Sequence, residues 1–161
     1  MIFTGRCTCG HTSINGTAPP LTTTICHCLA CQTSLTPRAP FLVFTSFPSP
    51  SVHISPAPLT RATSPVASRF FCPGPCGELL GMSYSADPAR VHVLKSKILH
   101  WVGGLEPEGA RPCKHIFVGE AHEAVAEDGL PKFDGFRDGQ PTTTEMRLRY
   151  EELAREGGRE L

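Results

Sequence analysis

Apolar and polar positions along this chain alternate over short stretches only, and the period is mostly two. Residues 11–15 alternate weakly and carry Thr and Ile, which predicts a short strand. Residues 21–25, rich in Thr, predict a strand that runs into Cys26. Residues 41–44 read as a buried strand, and 52–54 as a short edge strand among prolines. Residues 91–102 form the strongest β segment by composition, and 114–118 a further strand. Asn15-Gly16, Pro19-Pro20 and 128–131 read as turns, 32–40 and 103–112 as loops, and 45–68 as a loop-rich meander. Phe133 and Phe136 suit a closing segment. Helical spacing occurs once: Thr142 and Glu145 fit a capping box, Met146, Tyr150 and Leu153 follow, and Gly157-Gly158 ends the run.

This pattern predicts an all-β fold with one short C-terminal helix. It divides the chain into a single domain over 1–140 and a helical extension over 141–161. Phe3, Phe41, Phe44 and Trp101 read as core.

The chain has 161 residues and zero formal net charge, with no long basic run, so nucleic-acid binding through phosphates is not expected. The start lacks the pattern of a signal peptide, and no apolar run is long enough for a membrane span. The expectation is a soluble, cytoplasmic protein.

Eight cysteines change the picture. Seven lie in three tight groups, and cysteines one residue apart do not easily bridge each other, so metal is favoured over disulfides. Cys26, Cys28 and Cys31 offer three thiolates, one short of the tetrahedron a structural zinc closes. Cys7 and Cys9, followed by Gly10, pair naturally with Cys72 and Cys76, followed by Gly77, to complete a four-cysteine site. Residues 7 and 76 then touch, and the proline-rich stretch between them loops within one domain. Phe70 and Phe71 bring apolar bulk beside the metal. Such a zinc supplies on the order of 10 kcal/mol of apparent folding energy. Cys113 is either a free thiol or the fourth ligand of the second site.

The ordered set Cys-x-Cys-Gly, Cys-His-Cys-x-x-Cys, Phe-Cys-…-Cys-Gly-x-x-Leu, His-Ile-Phe-Val and Asp-Gly-Leu-Pro-x-Phe, spread over residues 5–133, resembles the glutathione-dependent formaldehyde-activating enzyme family, also called the GFA or CENP-V domain. The resemblance implies a zinc-stapled β-sandwich of the Mss-four-like type. It also implies a carbon–sulfur lyase that joins formaldehyde to glutathione. Carried over by position, a structural zinc falls on Cys7, Cys9, Cys72 and Cys76, and a second, active-site zinc on Cys26, Cys28 and Cys31. Gln32 stands where the family often has Arg, and three residues rather than two separate Cys72 from Cys76.

Under this reading a thiol such as glutathione takes the open position on the second zinc, loses its proton and attacks a small aldehyde. His27 and His115 are the candidates to protonate the new hydroxyl. The partners implied are a small-molecule thiol and an aldehyde. The alternative is a non-catalytic, zinc-stapled binding module in which Cys113 closes the second site and both zincs are structural.

Overall fold

The structure is a computed structural model, and it describes residues 1–34, 39–64, 67–84 and 92–135. Its strands form two sheets. The smaller runs β10 (Leu99–Trp101), β1 (Phe3–Arg6), β2 (Ser13–Gly16), β5 (Val52–Ser55), all antiparallel. The larger runs β12 (Lys132–Phe133), β11 (Pro112–Ile116), β3 (Thr22–Cys26), β4 (Leu42–Phe47), β9 (His92–Lys95), β8 (Leu79–Tyr84), β7 (Ala67–Phe71), β6 (Leu59–Ser64). Within it β11 lies parallel to both β3 and β12, and the other pairs are antiparallel. Among the described residues no helix is long and apolar enough to cross a membrane. The expected all-β fold is therefore what forms.

The strand period decides which residues meet. On β4, Leu42 and Phe44 join one apolar cluster, while Phe47 joins another. The second cluster fills the space between the sheets with Phe3, Ile14, Phe47, Phe70, Leu80, Leu94, Ile98 and Leu99, and it holds Cys7 and Cys72. The first covers the opposite face of the larger sheet with Leu42, Phe44, Leu79, Met82, Val93 and Ile116, and it holds Cys26, Cys28 and Cys31. A register shift at Phe70/Phe71 inserts an extra residue on β8, so Leu79 and Met82 share a face although three positions apart. Phe70 and Phe71 thus pack against different cysteine groups.

Several expectations change. Asn15-Gly16 is not a turn: β2 continues through Gly16, which pairs with Phe3 on one side and Val52 on the other. Glycine stands there for space, because a Cβ would lie 1.8 Å from the Phe3 ring. The 45–68 stretch is not mainly loop, since it carries the end of β4, all of β5 and β6, and the start of β7. The 91–102 segment is two strands. A 3-10 turn at Ser96–Ile98 carries the chain from β9 in the larger sheet to β10 in the smaller. The 32–40 loop begins inside a short helix, α1 (Leu29–Thr33). Trp101 packs on the intersheet cluster, with its ring 5.8 Å from that of Phe3. Phe41, expected in the core, is 44% exposed. Phe136 and the C-terminal helix lie outside the described residues.

Candidate metal centres and a histidine cavity

The first cysteine group joins two turns from distant parts of the chain. β1 delivers Cys7 and Cys9, and β7 delivers Cys72 and Cys76. Gly10 and Gly77 close the turns at φ of 72° and 55°, a region glycine enters freely. The Sγ atoms of Cys7, Cys9 and Cys72 lie 3.4 to 3.8 Å apart. Four sulfurs at about 2.3 Å from one zinc stand about 3.8 Å apart in a tetrahedron, so the donor set fits that ion. Donors that favour thiolates surround it: Thr12 N and Oγ1 reach Cys7 and Cys72 at 3.1 and 3.3 Å, and Gly74 N reaches Cys72 at 3.3 Å. Burial pushes the Cys76 thiol up, but backbone donors at Glu78 and Cys9 outweigh it and leave it lowered. Glu78 ties the turns together. One carboxylate oxygen accepts from Thr8 N and Oγ1, both at 2.7 Å, and the other pairs with Lys95 at 2.5 Å.

The second group sits where β3 ends. Cys28 caps α1, its Sγ accepting from Cys31 N at 3.4 Å, and Cys26 and Cys31 bring their sulfurs to 3.7 Å. All three are buried, at 3–6% exposure, among apolar side chains. Without a metal the three thiols are driven apart in acidity. Hydrogen bonds from Cys26 and Cys31 lower Cys28 to about 3, while hydrogen bonds to Cys28 and Cys31 raise Cys26. The bond from Cys26 eases Cys31, yet the bond to Cys28 and burial carry it up to about 12. Three thiolates can coexist in this apolar setting only beside a cation, and the converging sulfurs suit zinc.

No fourth Cys, His, Asp or Glu ligand joins this group among the described residues. Cys113 is exposed and bonds Thr22 Oγ1 at 3.2 Å. Thr22 begins β3 and Cys26 ends it, so Cys113 sits at the opposite end of the strand from the three sulfurs. It does not close the second site.

His27 and His115, distant in sequence, are brought together. His27 Nε2 and His115 Nδ1 are 2.9 Å apart, and His115 Nε2 is 2.9 Å from Asp128 Oδ2. With Asp128 ionised, His115 Nε2 is the donor and its Nδ1 accepts from His27 Nε2. The hydrogen bond from His115 holds the Asp128 carboxyl below its usual range. Burial, then the neighbouring His115, lowers His27, against the pull of Cys28. The two rings, with Ile25, Pro40, Phe41 and Asp128, line a cavity of about 240 Å³. None of the three cysteines lines it. His115 is in register with Ile25, and Ile116 with Cys26, so the His115 and Cys26 side chains leave opposite faces of the sheet, while His27 lies just past the end of β3, between Cys26 and Cys28.

Other residues that position the site carried little signal in the sequence. Gln32 is buried and donates to the carbonyls of His27 and Glu120 at 2.5 and 3.2 Å, and Glu120 accepts from Leu29 N at 3.0 Å. These bonds fasten α1 to the turn after β11. Phe117 makes that turn at φ 57°, and its buried ring packs with the three cysteines. Asp128 read as a turn residue, and its one cue was a carboxylate 13 positions after His115.

No curated protein matches the chain. A crystal structure of a Rhodobacter sphaeroides protein is similar over 65% of this chain and 91% of that one, at 16% identity and a TM-score of 0.48. The family model of the glutathione-dependent formaldehyde-activating enzyme matches residues 2–120. With that match over most of its length, the chain belongs to the glutathione-dependent formaldehyde-activating enzyme family.

Proposed function

We propose that this protein adds a thiol such as glutathione to formaldehyde or another small aldehyde at a metal held by Cys26, Cys28 and Cys31, a carbon–sulfur lyase reaction. The observation that carries this reading is a buried three-thiol group lacking a fourth ligand among the described residues. Cys7, Cys9, Cys72 and Cys76 hold the other, structural zinc, whose four-ligand shell leaves no position for a substrate. When bound at the open site, zinc supplies a position at which a thiol is deprotonated.

The chain's own residues do the rest. Leu42, Phe44, Met82 and Ile116 keep water from the sulfurs. The thiol gives up one proton and the product hydroxyl gains one, so the reaction needs a group to carry it. We assign that to the His27–His115 pair, held by Asp128. With both rings neutral and His27 Nε2 donating to His115, His27 Nδ1 is the acceptor nitrogen of its ring. The position of Cys113 speaks against a binding module with two closed zinc sites.

The test is turnover. Zinc-loaded protein should accelerate formation of the hemithioacetal from glutathione and formaldehyde, and Cys28→Ser should return the rate to background. Equal rates for both proteins would refute the proposal.

A further inference from the structure

Two arginines beside the cysteine group play no part in that chemistry. Arg61 of β6 stands directly opposite Arg69 of β7 at the edge of the larger sheet. Like charges placed so are destabilising. Arg69 Nε is buried and meets no hydrogen-bond partner among the described residues, a cost that a ligand would relieve. The Arg61 guanidinium lies over the Phe71 ring, 5.0 Å from the centroid.

Both arginines border the same apolar cluster. Phe71, two residues beyond Arg69 on the same face, packs against the residues that include Cys26, Cys28 and Cys31. On its other side Arg69 is in register with Met82, a member of that cluster. Two arginines at directly opposed positions, a buried donor left open and an apolar floor together suit a carboxylate, which an arginine binds through two parallel hydrogen bonds.

We propose that Arg61 and Arg69 form a carboxylate-binding subsite beside the cysteine group, and that it takes a carboxylate of the thiol substrate. The second half rests on the reading that the cysteine group receives a thiol. The substrate class is then a thiol that also carries a carboxylate, as glutathione does, rather than any small thiol.

S-methylglutathione separates the two claims, because it keeps the carboxylates and has no thiol to offer a metal. Calorimetry on the zinc-loaded protein should detect its binding, weakened about tenfold or more in Arg69→Met, with Arg69→Lys in between because it keeps the charge and loses the fork. No binding to the wild type, or equal binding to Arg69→Met, overturns the subsite. Should Arg69→Met fail to fold, the exposed Arg61→Gln decides: weaker binding by about threefold or more supports the subsite, and unchanged binding overturns it. Cysteamine, a thiol without a carboxylate, tests the reading beneath. Its addition should alter the spectrum of cobalt-loaded wild type and Arg69→Met alike. Loss of that response only in Arg69→Met means Arg69 acts on the thiolate and overturns the subsite. No response in either protein refutes the thiol reading, and the calorimetry still decides the subsite.

Discussion

His115 Nε2 and Asp128 Oδ2 lie 2.9 Å apart at the rim of the cavity, and this contact fixes which nitrogen of His115 faces His27. Asp128→Ala removes the acceptor and lets the His115 ring exchange tautomers. Turnover should fall about ten- to a hundredfold, with zinc content unchanged because no sulfur depends on the carboxylate. Nitrogen NMR of the two imidazoles, alongside metal analysis, checks both halves.

The two cysteine groups should respond differently to loss of one ligand. With the zinc proposed for the four-cysteine group, Cys72→Ser should open the tie between β1 and β7 and remove on the order of 10 kcal/mol, comparable to the whole stability of a domain. That variant should be largely unfolded by circular dichroism. Cys28→Ser should remain folded and keep one zinc.

Glu78 adds a pH dependence to stability. Burial pushes its carboxyl up, but the bonds from Lys95 and Thr8 outweigh it and hold it below the ordinary range. A lowered pKa in the folded state means the folded protein binds the proton less readily than the unfolded chain. This contribution is therefore present above the ordinary glutamate pKa of about 4.3 and lost as pH falls through the lowered value. In urea unfolding, Glu78→Gln should weaken the wild-type fall in stability between about pH 5 and 3. An identical slope in both proteins would contradict the assignment.

Gly16→Ala forces a methyl into the ring of Phe3, which is fully buried against Phe47 at 4.2 Å and cannot swing aside. The expected loss is about 1–3 kcal/mol, read as a lower Tm.

The cysteine turns were legible because chelation is local in sequence: each group is a few residues long and punctuated by a glycine. Pairing Cys7 and Cys9 with Cys72 and Cys76 needed only a count of ligands. Most strands were legible from Val, Ile, Phe and Thr. What local pattern cannot carry is register. Asn15-Gly16 has turn chemistry, yet close approach to Phe3 draws Gly16 into a strand. Continuous β composition over 91–102 hides the point at which the chain changes sheets. Asp128 acquires its role only through β11, whose register aligns His115 with Ile25 and sets its ring beside His27. Arg69 looks like an ordinary strand cation until its cross-strand partner proves to be Arg61.

The central claim is an open, three-thiolate metal at Cys26, Cys28 and Cys31. Cobalt substitution tests it most directly, since charge-transfer absorption reports the number of bound thiolates. The protein should bind two cobalt ions, and glutathione should increase the absorption of the one that Cys28→Ser removes. A spectrum of two four-thiolate sites from the outset, unmoved by glutathione, would contradict the account.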